Sequence, residues 1–279
     1  NIKGVNLSIT HIGGGSSHKR RDACLNIIYQ DDWVQLIQGD CLEVMDELIK
    51  QKNKFNAIIA DIPQEITQND WDRAIPLMKM WELLYQLRNN KQTPIILFTN
   101  QPFTTDLINS NKKHFKYMKY WQKDRPSGFL NARKMPLKDI EEIAIFYEQQ
   151  CIYNPIMREG SPSHSIGKAK GEKLCKNNNN YGNFGRVERE GTLKYPRQLM
   201  YYPRPHPPIH PTQKPVKLLE DLIITYTNEN DLILDFTCGS GTTLIAARNL
   251  NRRCIGIELE EKYCKIAKQR LENKNIIIE

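Results

Sequence analysis

The chain has 279 residues, a hydrophobic share of 39% and a net charge of +8. That is long enough to bury a substantial core, and no apolar run approaches the roughly 18 residues of a membrane span. Seven cysteines, an odd number with no Cys-x-x-Cys pair, argue against a disulfide framework or zinc site and for a reducing, cytoplasmic setting.

The chain opens on "NIKGVNLSITHIGGGSSHKRRD", whose glycines, serines and basic cluster read as a flexible arm over residues 1–32. It has no apolar core of the kind an export signal needs, and a start at Asn1 leaves room for residues upstream. "VQLIQGD" from Val34 then predicts a strand ending at Asp40. "CLEVMDELIKQ" follows, with Leu42, Met45, Leu48 and Ile49 on one helical stripe. Short apolar runs at Phe55 to Ala60, Pro94 to Phe98 and Ile143 to Tyr147 predict further strands, separated by helix-like "LMKMWELLYQL" and "TTDLINS". Residues 151–208 break this rhythm with Asn, Gly, Pro and Lys and predict an insertion that binds something. "PVKLLEDLIITY" predicts a helix behind Pro215. Strand-like "DLILDF", helix-like "TTLIAARNL", strand-like "RCIGIE" and helix-like "EKYCKIAKQRLE" close the chain. Such alternation predicts an α/β fold with a mostly parallel sheet covered on both faces.

The positive charge is concentrated. Residues 111–217 hold 21 Lys and Arg against 9 Asp and Glu, so all the excess lies in one central block. Phe115, Tyr117, Tyr120, Trp121, Tyr153, Tyr181, Phe184 and Tyr195 are interleaved with those bases. Cations for phosphates and flat rings for bases predict a nucleic-acid surface.

In a sheet of this kind chemistry belongs at the carboxyl ends of strands. Asp235 ends one strand and is followed by Gly239-Ser240-Gly241, which lets a ligand approach the backbone at a helix start. Glu258 ends the next strand about twenty residues on, an offset suited to gripping ribose hydroxyls. Together they predict an adenosine-containing cofactor without a pyrophosphate, since both the Gly-x-Gly-x-x-Gly spacing and a phosphate-loop lysine are missing. Asp40 suits a helix cap or an amine acceptor. Asp61 ends a fourth strand, in "IIADIPQEITQNDWD". Trp71 and Trp81 are expected to pack, and no metal is expected near His206 and His210.

"DFTCGSGTT", "IGIE", "HPTQKPVKLLEDLI", "GFLNARKMPLKDIEEIAIFY" and the Asp-x-Pro-x turn, in this order, resemble the beta-class S-adenosylmethionine-dependent amino-methyltransferases of DNA, adenine-N6 type, of phage and restriction-modification systems. The resemblance runs from about Val34 to Leu271. It implies a Rossmann-like methyltransferase fold, circularly permuted, with a catalytic half at 33–150, a target-recognition insertion at 151–208 and a cofactor half at 209–279. Asp235, Phe236, Thr237, Gly239, Gly241 and Thr242 match the glycine turn that holds the methionine part of S-adenosylmethionine, and Glu258 matches the ribose acid. Asp40 and Cys41 match the adenine side. His210, Thr212, Gln213 and Lys214 match the motif covering the cofactor's carboxylate end. Asp61, Ile62, Pro63 and Gln64 fall on the motif usually written Asp-Pro-Pro-Tyr, which also borders the cofactor.

In that family the base is swung out of double-stranded DNA, and the carboxylate of the first motif residue and a following carbonyl accept from its amine. An aromatic fourth residue stacks on the base. Gln64 has almost no π-face, and Glu65 adds a carboxylate. Three expectations therefore stand: an adenine methyltransferase with weakened flipping, a DNA-binding subunit needing an active partner, and an enzyme acting on cytosine or RNA. Lys123, Arg125, Arg133 and Lys134 are expected on phosphates. Lys168, Lys170, Lys173, Arg186 and Arg189 are expected on phosphates or base edges, the two arginines being the better readers. The resemblance permits a homodimer, and the second expectation requires a heteromeric partner.

Overall fold

The structure, a computed structural model, describes residues 25–64, 75–160, 192–207 and 213–273. Along the chain it runs β1 (Asn26–Gln30), β2 (Val34–Gln38), α1 (Cys41–Lys50), β3 (Ala57–Asp61), α2 (Leu77–Leu87), β4 (Ile95–Thr99) and α3 (Phe103–Ser110). It continues with β5 (Phe115–Ser127), β6 (Lys138–Phe146), β7 (Arg158–Glu159), β8 (Leu193–Lys194) and β9 (Leu199–Tyr201). Last come α4 (Val216–Tyr226), β10 (Leu232–Asp235), α5 (Thr242–Asn249), β11 (Arg253–Glu258) and α6 (Glu261–Glu272).

Nine strands form one sheet in the order β1-β2-β11-β10-β3-β4-β6-β5-β9, and β7 and β8 pair separately. β2, β11, β10, β3 and β4 are mutually parallel. β1 is antiparallel to β2, and β6 is antiparallel to both β4 and β5. The chain moves outward in opposite directions from the neighbouring strands β10 and β3. That reversal opens a crevice at their carboxyl ends.

The core explains why the strands read as unbroken apolar runs. Successive residues point to opposite faces. Ile58 and Ala60 pack on one side with Met45, Leu48, Trp81 and Leu84 of α1 and α2, while Ile59 packs on the other with Leu218, Leu222 and Leu244 of α4 and α5. Both faces are buried, so no position is left for polar alternation. Trp81 packs as expected, tilted against Phe146 at 5.0 Å with its indole N–H donating to Ser110.

Several expectations change here. Asn26 to Gln30, placed in the flexible arm, form an edge strand paired to β2. β5 was hidden in the basic block, and its Trp121 is 2% exposed and belongs to the core rather than to a base-stacking surface. Tyr117 likewise turns inward, its hydroxyl 2.8 Å from that of Tyr226. The end of the supposed insertion, β9, pairs parallel with β5 and so joins the main sheet. Tyr181 and Phe184 lie outside the described residues, as do Trp71 and Glu65. No described helix is long and apolar enough to cross a membrane.

Candidate active site

The crevice between β10 and β3 holds a cavity of about 470 Å³ whose lining includes Asp61, Ile62, Pro63 and Gln64, the glycine-turn residues Phe236, Thr237 and Gly239, and Glu258. Gly239 and Gly241 have φ of +51° and +77°, the left-handed region that favours glycine. Gly241 caps α5 from that conformation. A hydrogen bond from the Thr237 hydroxyl to the Asp61 backbone carbonyl, 3.0 Å, ties the glycine turn to the end of β3. The two motifs, separated by some 170 residues of sequence, thus share one wall.

Glu258 is held from below. Its two carboxylate oxygens accept from the backbone N–H groups of Gly239 and Glu260, each at 2.8 Å. Burial nonetheless raises its pKa. Burial also pushes Asp235 up to about 7, against hydrogen bonds from Thr243 and the Thr237 N–H, with the charges of Asp61 and Glu258 adding to the rise. The cavity therefore gathers carboxylates that are costly to ionise in the absence of a cation.

One cation is already built in. Lys214 Nζ lies 2.6 Å from Asp61 Oδ2 and 3.2 Å from Glu141 Oε2, over the Phe98 ring at 5.1 Å. Lys123 Nζ completes the chain at 2.5 Å from Glu141. Burial works against the ammonium of Lys214, but the two carboxylates more than offset it and hold its pKa above the usual lysine range. Burial lifts Asp61 above the ordinary carboxylate value, and Lys214 opposes that lift. Glu141, also buried, is nevertheless lowered by its two lysines.

The remaining expected residues divide clearly. Asp40 caps α1, accepting from the N–H of Leu42 at 2.8 Å and of Glu43 at 3.2 Å, and with Cys41 it also lines the cavity. Gln213, Asp235 and Thr242 line it as well, while Gly241 shapes the turn without facing the space. Gln64 points its amide nitrogen at the Phe98 carbonyl, 3.4 Å away. His210 and Thr212 lie outside the described residues, as do Lys168, Lys170, Lys173, Arg186 and Arg189. Arg125, Arg133 and Lys134 are exposed, Arg125 with its Nε 3.2 Å from the Asp124 carboxylate. Lys123 differs from expectation. Its side chain is 9% exposed and committed to Glu141, so it is turned inward and away from any phosphate.

A model of the DNA methylase family matches residues 46–269. The chain belongs to this family. Among curated relatives, this chain is 56% identical over 66 residues to the Type II methyltransferase M2.DpnII of Streptococcus pneumoniae, 24% of this chain and 25% of that one. It is 45% identical over 65 residues to the Type II methyltransferase M.HpaI of Haemophilus parainfluenzae, 23% of this chain and 21% of the relative. The aligned stretches thus span only about a quarter of these relatives. Among solved structures, the M1.HpyAVI–SAM complex superposes with a TM-score of 0.60 at 25% identity, covering 85% of this chain and 98% of the other. The cytosine-N4-specific PvuII DNA methyltransferase shares the fold, with a TM-score of 0.58 at 15% identity, covering 90% and 91%.

Sequence reasoning missed Glu141 and the buried role of Lys123. The signal was present in "KDIEEIAIF", where adjacent acids interrupt an apolar strand. Nothing local to that stretch says that Lys214, over seventy residues away, will meet it.

Proposed function

We propose that this DNA methylase is a site-specific methyltransferase that moves a methyl group from S-adenosylmethionine to the exocyclic N6 of an adenine swung out of double-stranded DNA. One observation carries the reading: Asp61 and the glycine turn share a cavity at the switch point of the sheet, bonded to each other through Thr237. The permuted order is supported by the chain itself, since the Asp61 strand β3 precedes the glycine-turn strand β10.

The residues present fit the cofactor. Bound there, S-adenosylmethionine would supply an electrophilic methyl on a sulfonium, next to a cationic amino group. Asp235, Asp61 and Glu258 offer the negative charge that such a ligand requires, and their raised pKa values mark sites that a cation would relieve. Glu258, fixed by two backbone N–H groups, is set to accept from ribose hydroxyls. The left-handed backbone at Gly239 and Gly241 keeps side chains out of the turn.

Asp61 does the positioning. Its carboxylate accepts from the target amine together with a carbonyl of the Ile62-Pro63 backbone, which localises the nitrogen lone pair and aims it into the cavity. Lys214 holds Oδ2 in place and favours the ionised carboxylate. Stacking is the weak point, because Gln64 replaces a ring worth about 1–3 kcal/mol. The expected cost is roughly 10- to 100-fold in rate through fewer extruded bases. Arg125, Arg133, Lys134 and, on composition, Lys168, Lys170, Lys173, Arg186 and Arg189 are proposed to hold the DNA.

The test is transfer of labelled methyl to mixed-sequence duplex DNA, with the product identified by mass. Label on adenine, abolished in Asp61→Ala, supports the reading; label on cytosine N4 would move it to the other amine, and no label above the variant would defeat it. Gln64 favours a second reading, a catalytically impaired subunit working with an active partner chain. A Gln64→Tyr variant that gains activity from a silent parent points to that reading. A parent already active alone removes it.

A further inference from the structure

The hairpin of β5 and β6 outruns the rest of the sheet. β6 pairs with β4 only as far as Glu142 opposite Thr99, yet its pairing with β5 continues to Lys138 opposite Ser127. β6 is antiparallel to β4, so this extension projects from the edge that carries Asp61. Glu141 at its root is bonded to Lys214, and Lys138, three residues farther out, still lines the cavity.

The hairpin ends in apolar side chains that no other described residue covers. Gly128 turns the chain with a φ of +89°, a short 3-10 turn follows over Phe129–Asn131, and Phe129, Leu130 and Met135 are 66%, 101% and 58% exposed. Three bare apolar residues within seven are not accounted for by folding. The flanking chemistry says what they face. From Arg125 to Lys138 the chain holds four bases and no acid.

We infer that this hairpin tip is a wedge for duplex DNA: Phe129 and Leu130 enter the base stack where the target nucleotide has left it, while Arg125, Arg133 and Lys134 sit on the adjoining phosphates. The inference rests on the proposed action on DNA and adds the element that holds the helix open. Extruding a base leaves a gap in the stack whose apolar walls favour an inserted apolar side chain. A tip on the same edge as the cavity is placed to fill that gap as the base enters the cavity. The bases supply the sequence-independent attraction.

The experiment compares the whole chain's affinity for randomised duplexes that are intact or carry one abasic position, by fluorescence anisotropy over a range of salt. The wild type is expected to prefer the gapped duplex by roughly tenfold, the order of one stacked ring. Phe129→Ala/Leu130→Ala, exposed positions whose loss leaves the fold intact, should abolish the preference and leave intact-duplex affinity and its salt slope unchanged. Arg133→Gln/Lys134→Gln should weaken both duplexes alike and flatten the salt slope by about two. A wild type without preference, or an apolar double variant that retains it, overturns the wedge while leaving methyl transfer to its own assay. So does a double variant that instead changes the oligomeric state or loses binding to anionic vesicles. Absence of any duplex binding would defeat the wedge and the DNA reading together.

Discussion

Asp61 and Lys214 meet at 2.6 Å, and on the proposed reading the balance between them governs how the carboxylate accepts from the target amine. Replacing Lys214 with Met leaves Asp61 and Glu141 buried side by side without their shared cation. A one-sided break in a buried pair costs about 3–5 kcal/mol. Lys214→Met is therefore expected to lower the thermal midpoint and to shift the methyl-transfer pH profile upward as Asp61 becomes harder to ionise, read from initial rates across pH. Asp235 gives a cleaner pH signature. Its pKa rises from about 4 in the unfolded chain to about 7 in the folded one. The folded state therefore binds more protons between those values, and this residue's contribution to stability, complete at low pH, is lost as pH rises through that window. The difference in thermal midpoint between wild type and Asp235→Asn, measured from pH 4 to 8, should move in the variant's favour with rising pH. A flat difference would mean that the carboxyl is not buried in the way described.

At the scale of elements, two packing features set the site's geometry. Gly256 in β11 leaves no room for a side chain: an added Cβ would stand 2.4 Å from Leu244 Cδ1 of α5 and 2.9 Å from Cys238 Sγ of the glycine turn itself. Gly256→Ala must push these side chains, at a cost of about 1–3 kcal/mol, and should weaken cofactor binding in calorimetry more than DNA binding in anisotropy. Asp40 caps α1 through two backbone N–H groups. Asp40→Ala should cost about 1 kcal/mol by denaturant melting, and Asp40→Ser, which restores a cap, should recover most of it. Cofactor affinity that stays low in the serine variant would separate the residue's place in the cavity from its capping.

For the whole molecule, α/β alternation, the strand-end acids and the glycine turn were legible in the sequence because each is encoded locally. Strands buried on both faces are continuous apolar runs, Gly239 and Gly241 answer a local need for positive φ, and the order of motifs along the chain carried the family. The long basic strand β5 was not legible. Its lysines and aromatics alternate between core and ion pairs, and only the partners decide which side chain turns inward. Lys119 pairs with Asp221 of α4, and Lys123 with Glu141, so part of the positive charge counted in that block is spent inside the molecule. Edge strand β1 was hidden for a related reason: five residues in a polar arm become a strand only because β2 offers an open edge.

By itself, then, the sequence determined the fold class, the cofactor-type turn and the carboxylate at residue 61, each the product of neighbouring residues and their intrinsic geometry. Only the tertiary structure decided that Lys214 and Glu141 belong with Asp61, that Lys123 and Trp121 are interior groups, and that Phe129 and Leu130 are exposed among the described residues on the cavity's edge. The physical reason is that burial and charge pairing are properties of residues brought together from distant parts of the chain, and no local pattern reports a partner that arrives from a different strand.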